Sequence, residues 1–298
     1  TAVFSSPAAA AGEPAALARD PLERFAQAQP SEAAIIRERE SAALTAALRE
    51  IEQDVATNAG AAITDAFAPV GDGWQPVREP TETARVVERL RTGLRDLLQD
   101  DPTVVLLGED LEDEYGGAFK VTRGLSSRFP GRVRNTPISE AALVGFGNGL
   151  AMAGRRPVVE IMFGDFIALA ADQIINQCTK FAFIYNGKVS VPVIIRTPMG
   201  GRRGYGATHS QTLDRHFLGT PGLVVVAVND IFDPAALLQR VHRHVTGPCL
   251  FIENKTLYAC AVHATSPLRL RWEEDGSPLP TLRLVIGKDP AMTVVAYG

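Results

Sequence analysis

Glu140 is the residue around which the chemistry of this chain can be organised. It closes the run Thr136-Pro137-Ile138-Ser139-Glu140 and opens a helix-length stretch, Ala141 to Ala153, built mostly of small residues. With Ser139 as N-cap, Glu140 falls in the first helical turn, where a carboxylate stabilises the positive end of the helix dipole by roughly 0.3–1 kcal/mol. That role alone accounts for an acid at this point. It does not account for Gly145, Gly147 and Gly149, each of which costs about 1 kcal/mol relative to alanine inside a helix. Close packing against another backbone would. A second glycine-rich stretch, Gly200-Gly201-Arg202-Arg203-Gly204-Tyr205-Gly206, lacks the Lys-Ser/Thr of a P-loop and the Gly-x-Gly-x-x-Gly order after a strand. It reads as flexible active-site backbone rather than a nucleotide cradle. The three cysteines form no Cys-x-x-Cys pair, and no two of the five histidines stand at zinc-ligand spacing beside them. Packed free thiols, a reducing cytoplasmic setting and no metal site in the chain are the expectation.

These residues need elements to hold them. The 298 residues are 46% hydrophobic, enough to bury a sizeable core, and the formal net charge of −4 is scattered. No basic footprint for nucleic acid or an anionic membrane is present, and the longest apolar runs are strand-sized, so small-molecule chemistry is favoured. Residues 1 to about 30, rich in Ala and Pro, read as an irregular lead-in. From Ser31 to about Thr57 the spacing of Leu44, Leu48, Ile51 and Val55 predicts an amphipathic helix, resumed near Ile63 and Phe67. A connector with Gly71-Asp72-Gly73 and Pro76 to Pro80 leads to a second amphipathic helix carrying Val86, Val87, Leu90, Leu94, Leu97 and Leu98. Apolar runs at Val104–Leu107, Val158–Ile161, Val191–Ile195, Leu223–Val228 and Cys249–Ile252 then alternate with helix-sized segments. That grammar predicts an α/β fold, a mostly parallel sheet with helices on both faces, preceded by a helical extension. A ligand belongs at the C-terminal ends of such strands. The expected divisions are a helical extension and linker over 1–80, an α/β domain over 81–262, and over 263–298 a linker with the first strand, near 292–298, of a further domain.

Five motifs stand in one order: Leu106-Leu107-Gly108-Glu109-Asp110, Gly116-Gly117-Ala118-Phe119-Lys120-Val121-Thr122-Arg123-Gly124-Leu125, the Glu140 run, Asp172-Gln173-Ile174-Ile175-Asn176-Gln177, and His209-Ser210-Gln211. Together they resemble the β subunits of thiamine-diphosphate-dependent 2-oxo acid dehydrogenase E1 components, of pyruvate, branched-chain or acetoin type, in the transketolase-like superfamily. The resemblance covers residues 83 to 260 and the segment 292–298. It implies the pyrimidine domain of a thiamine-diphosphate-binding fold, with Glu140 hydrogen-bonded to N1′ of the cofactor's aminopyrimidine and exchanging a proton there. The cofactor supplies the nucleophilic carbon and the electron sink, and the protein supplies orientation and proton placement. The resemblance further places Phe166 against the aminopyrimidine ring with Met162 close by, Glu109 as a carboxylate near the cofactor, and His209 near the reacting carbon, handling substrate or acyl-acceptor protons. Read as residues alone, Glu109 serves equally as a strand-end acid, and phenylalanines after a strand are commonly core.

The family binds the diphosphate and its Mg²⁺ through a Gly-Asp-Gly motif and a later Asn on a separate α-type domain. Gly71-Asp72-Gly73 follows no apolar strand and precedes no such Asn segment, so it reads as a turn. The chain is thus expected to hold half a site and to need an α-type E1 domain, fused or separate, in an α2β2-like assembly. The segment Arg19 to Phe25 and the helix through Ile51-Glu52-Gln53-Asp54-Val55 look like the C-terminal tail of an E1 α subunit, suggesting a fused αβ polypeptide. Thr212 to Phe217 and Tyr185-Asn186-Gly187-Lys188 depart from the family pattern near the site entrance. The implied reaction decarboxylates a 2-oxo acid and passes the acyl unit to a lipoyl-bearing acyltransferase or another acyl acceptor. An acyloin-forming carboligase and a non-catalytic scaffold are the alternatives.

Overall fold

The computed structural model describes residues 20–58, 73–78, 83–263, 271–287 and 290–297. The chain divides into two units, Thr1–Ala68 and Pro69–Gly298. In the first, α1 (Pro21–Ala28) begins where the Asp20 side chain accepts the Leu22 N–H at 2.8 Å, with proline next in line, and α2 runs over Pro30–Asn58. Proline lacks the N–H that a first turn leaves unpaired, which suits it to both starts. Arg37 of α2 pairs with Glu23 of α1 at 3.1 Å. The helix anticipated from Ser31 is present, and Leu44, Leu48 and Ile51 on it are exposed. The resumption near Ile63 and Phe67, and Gly71-Asp72, lie outside the described residues.

In the second unit the 3.6-residue spacing of apolar side chains builds α3 (Val86–Asp100), whose Glu88 carboxylate reaches back to the Arg85 N–H at 2.8 Å. Its buried Leu90, Leu94, Leu97 and Leu98 pack on α7 (Pro234–His244); α4 (Leu125–Arg128) and α6 (Phe181–Ile184) are single turns earlier in the chain. Six strands follow: β2 (Val104–Gly108), β3 (Val133–Asn135), β4 (Arg156–Glu160), β5 (Ile194–Met199), β6 (Val224–Ala227) and β7 (Cys249–Asn254). They form one sheet in the order β3-β2-β4-β5-β7-β6, parallel throughout. Successive side chains point to opposite faces, so one strand serves two cores. Leu106, Val158, Ile194 and Phe251 join the α3 and α7 side, while Leu107, Val159, Ile195 and Leu250 join the side covered by α5 (Glu140–Met152). Burial on both faces explains the unbroken apolar runs. β3 was not anticipated; only Val133 of its three residues is buried, so it leaves no apolar run to read.

A small antiparallel sheet joins β1 (Gln75–Pro76), β8 (Glu273–Glu274) and β9 (Leu282–Arg283), tying the connector to the looser segment after residue 270. Of the segment 292–298, anticipated as a strand, the described residues 292–297 pair with none, and Met292, Val294, Val295 and Tyr297 are exposed. A strand takes its hydrogen bonds from a neighbour, and no strand stands beside this one among the described residues.

The large sheet sets the site. From β2 the chain passes to β3 on one side, and β4 then returns on the other, so the strand order reverses at β2. Parallel strands put every C-terminal end on one edge, and the crevice at such a reversal is where ligands bind.

Candidate active site

Two carboxyl groups meet at that edge. Glu109 directly follows β2, and the Thr136 N–H donates to Gly108 O at 2.9 Å, drawing the segment after β3 against the same strand end. Ser139 takes the N-cap position in extended conformation, although its hydroxyl makes no capping bond, and Glu140 starts α5. Glu109 and Glu140 are 8% and 6% exposed, which places both acids inside the fold. Burial pushes the Glu109 carboxyl above the usual range, and the negative charge of Glu140 raises it further, followed by Asp110 and Glu160. Glu109 Oε1 and Thr136 Oγ1 are buried with no hydrogen-bond partner. Buried polar atoms are nearly always paired, so an orphan carboxyl oxygen marks a place prepared for a donor.

An aromatic group lies beside the acids. The 3-10 turn Gly164–Ala170, reached from β4 through Met162 and Phe163, packs on α5 and on the turn Ala207–His209. The His209 imidazole stands edge-on to Phe163 and Phe166, with centroids 4.8 and 5.1 Å away. Phe119, from the Gly116–Leu125 motif, and Tyr205, from the glycine-rich loop, each approach Phe163 at 5.6 Å. Such edge-to-face pairs add about 0.5–1.5 kcal/mol each beyond area burial. Met162 is half-buried at the head of this segment. His209 Nδ1 is 2.9 Å from the Thr208 hydroxyl. The structure thus brings Glu109 to Glu140 and Phe166 to His209, and α5 packing on the 164–170 turn links the two pairs.

The glycines of α5 have a different cause from the one anticipated. A Cβ on Gly147 would meet Val159 Cγ2 of β4 at 2.7 Å, and one on Gly145 would meet the Gln173 side chain at 3.0 Å, whereas Gly149 faces open space. Side chains, not another backbone, press on this helix. The Asp172–Gln177 motif forms part of that packing: Asn148 of α5 donates to Gln173 O at 3.0 Å from a π-helical turn over Gln173–Cys178.

Below the acids lies a buried ionic cluster that the reading of the sequence missed. Arg196 of β5 donates to Glu253 of β7 at 2.7 and 2.9 Å and to Glu160 of β4 at 2.6 Å, and the Tyr258 hydroxyl donates to Glu253 at 2.7 Å. Burial holds the Glu160 carboxyl above the ordinary range despite Arg196, and keeps the Tyr258 hydroxyl protonated well past its usual value. Tyr258 also packs on Phe119 at 5.0 Å, joining the cluster to the aromatic group. The available signal was a charge placed at the end of an apolar strand run, where water-facing residues are not expected. Among the described residues no group of three or more His, Cys, Asp or Glu could hold a metal ion.

Residues 83–260 match the family described as transketolase, pyrimidine binding domain. The chain is 40% identical over 167 residues to the subunit beta of acetoin:2,6-dichlorophenolindophenol oxidoreductase from Cupriavidus necator, covering 53% of this chain and 49% of that one. It is 42% identical over 174 residues to the pyruvate dehydrogenase E1 component subunit beta of Leifsonia xyli, covering 58% and 51%. A mitochondrial pyruvate dehydrogenase E1 component subunit beta-2 of Oryza sativa matches over 236 residues at 35% identity, covering 78% and 61%. The chain therefore spans about half to three-fifths of the length of these relatives. With the parallel sheet and the acids at its C-terminal edge already in place, the match assigns the chain to the transketolase pyrimidine-binding-domain family as an E1 β-like member.

Proposed function

We propose that this chain is the β-type half of a thiamine-diphosphate-dependent 2-oxo acid dehydrogenase E1 component, in which Glu140 activates the aminopyrimidine. The observation that carries the reading is the buried Glu109–Glu140 pair, raised in pKa on the Glu109 side and carrying an oxygen without a donor. An aminopyrimidine offers a ring nitrogen that accepts a proton and an amino group that donates hydrogen bonds, so the residues present fit it. Glu140 would hold the ring at N1′, with Phe166 and Met162 against its face and Glu109 nearby. When bound, the cofactor supplies a nucleophilic carbon and an electron sink for decarboxylation.

The chain's own work is proton placement and exclusion of water. A buried carboxyl placed beside a ring nitrogen can exchange a proton with it. His209, backed edge-on by Phe163 and Phe166, is set to pass a proton to or from the substrate or acyl acceptor. Mg²⁺ and the diphosphate would be held by an α-type domain, fused or separate, in an α2β2-like assembly delivering the acyl unit to a lipoyl-bearing acyltransferase. The three cysteines are free thiols, which suits a reducing, cytoplasmic setting.

The test is Glu140→Gln in the assembly with its α-type partner, reading proton exchange at C2 of added thiamine diphosphate by NMR. Exchange should slow by at least about a hundredfold, the range of general acid–base contributions. Equal rates with Gln and Glu would remove Glu140 from the mechanism and favour a scaffold. Incubation with pyruvate and a branched-chain oxo acid, with and without a lipoyl acceptor, reads the outcome: acyloin as main product without acceptor would make the enzyme a carboligase.

A further inference from the structure

Lys255 is the first residue after β7, and its side chain is fully buried. A buried ammonium is costly unless its protons are used, so its contacts report what it is for. Its Nζ donates to the backbone carbonyl of His209 at 2.6 Å, lies 3.9 Å from Asp165 Oδ2, and faces the Phe163 ring at 5.1 Å from the centroid. Asp165 is buried in its turn, and its Oδ1 accepts the Gln211 N–H at 2.9 Å while Oδ2 has no hydrogen-bond partner. The Lys255 N–H donates to Met199 O at 3.1 Å, fixing the root of this side chain between β7 and β5.

The loop held by these two residues is the one that carries the histidine. It leaves β5 at Gly200 and is closed at its base by the Gly200 N–H donating to Gln211 O at 3.1 Å. Between those ends, Gly200, Gly204 and Gly206 and also Arg202 adopt positive φ, and residues 202–208 are exposed. Exposed backbone with several glycines has many accessible conformations and cannot by itself hold a side chain to one place. Two buried charges act on it instead, a cation on the carbonyl of residue 209 and an anion on the N–H of residue 211. The ring contacts of His209 with Phe163 and Phe166 come from the same segment as Asp165, so latch and ring wall locate the imidazole together.

We propose that Lys255 and Asp165 form a buried latch that positions His209 for its encounter with the acyl carbon, a role that rests on the dehydrogenase reading above. Lys255 is a positioning residue: it touches the histidine backbone, not the reacting atoms. Its removal should loosen residues 201–211 without disturbing the acids that face the aminopyrimidine on the far side of β4.

The test compares wild type with Lys255→Met in the full chain assembled with its α-type partner. A second variant, Lys255→Met with Asp165→Asn, covers the case in which an unpaired buried aspartate prevents folding, because Asn keeps an acceptor for the Gln211 N–H. Hydrogen exchange of the Gln211 amide should rise at least tenfold while amides of β5 and β7 keep their protection. Turnover should fall at least tenfold with KM for the oxo acid and the Kd for thiamine diphosphate unchanged. Unchanged Gln211 exchange overturns the latch, whether or not the assembly turns over. Faster exchange with unchanged turnover overturns the positioning role. Failure of the wild-type assembly to decarboxylate any oxo acid overturns the dehydrogenase reading, and the exchange result still decides the latch.

Discussion

Arg196→Met takes the guanidinium from between two buried acids, and its cost follows from the geometry. The Arg196 side chain is 2% exposed and reaches both Glu160 and Glu253. After the change Glu253 keeps the Tyr258 hydroxyl, but Glu160 keeps no side-chain donor among the described residues. Burial already holds the Glu160 carboxyl above 4.5 with the cation beside it. Without that cation it should take up a proton at neutral pH. Protonating a group of ordinary pKa 4.5 costs more at pH 7 than at pH 5, by about 1.36 kcal/mol for each unit of pH above that value. Removing one partner of a buried ion pair costs roughly 3–5 kcal/mol, and a loss of that order is expected at pH 7. A folded-state pKa raised above the unfolded one gives stability that is complete below 4.5 and lost as pH rises. Arg196 lowers the Glu160 carboxyl against the effect of burial, so its loss raises that carboxyl further and the deficit of the variant should grow from pH 5 to pH 7. Urea denaturation of both chains across this range, followed by circular dichroism, measures it. Adding Glu160→Gln should recover most of the loss at pH 7. A deficit below about 1 kcal/mol at pH 7, or one that does not change with pH, would refute a charged, paired Glu160.

Three further outcomes follow from the same balance of burial and charge. Glu109→Gln should stabilise the isolated chain by up to about 1 kcal/mol, because the wild-type carboxyl is raised by burial and by Glu140. The gain should appear as pH rises above 4.5 and be absent below it; a loss at pH 7 in thermal melts would contradict the orphan oxygen. Asp113 accepts from the Gly124 N–H at 2.7 Å and the Ser126 and Ser127 hydroxyls at 2.8 and 2.7 Å, which lower its pKa to about 2. Asp113→Ala should cost about 1 kcal/mol at neutral pH, as for a lost cap. Because its folded pKa lies below the ordinary 3.8, that difference should persist above 3.8 and close as pH falls through about 2, read as converging urea midpoints. Gly147→Val should destabilise by about 1–3 kcal/mol through overpacking on Val159, whereas Gly149→Ala should be neutral or stabilising, and equal losses in denaturation would show that α5 does not bear on β4 there.

The fold was legible where periodicity and burial agree. Unbroken apolar runs marked β2, β4, β5, β6 and β7, because a sheet covered on both faces needs apolar residues along most of each strand. β3 was illegible because it is a short edge strand with one buried residue. Glu140 was legible as the first residue of a helix, whereas Phe166 and His209 were singled out only by the family resemblance. Arg196, Glu253, Asp165 and Lys255 were not. Their partners lie across strand pairings such as Arg196↔Phe251, at sequence separations such as 36, 46 and 57, and no local pattern records which charge meets which.

The distribution of buried charge gives the strongest physical reason to look for a ligand at β2. Glu160 and Glu253 share Arg196, and Asp165 has Lys255. The charges acting on Glu109, by contrast, are acids alone: Glu140, Asp110 and Glu160. A fold that can deliver an arginine between two strands could have delivered one here, since Glu109 follows β2 next to the very strand that carries Glu160. Neutralisation in place would stabilise the chain but leave the pair unable to trade a proton. Leaving the Glu109 carboxyl without a cation among the described residues costs stability, and a ligand that brings a hydrogen-bond donor into the crevice would offset that cost. The amino group of an aminopyrimidine is such a donor, which is why the proposed reading places that ring here.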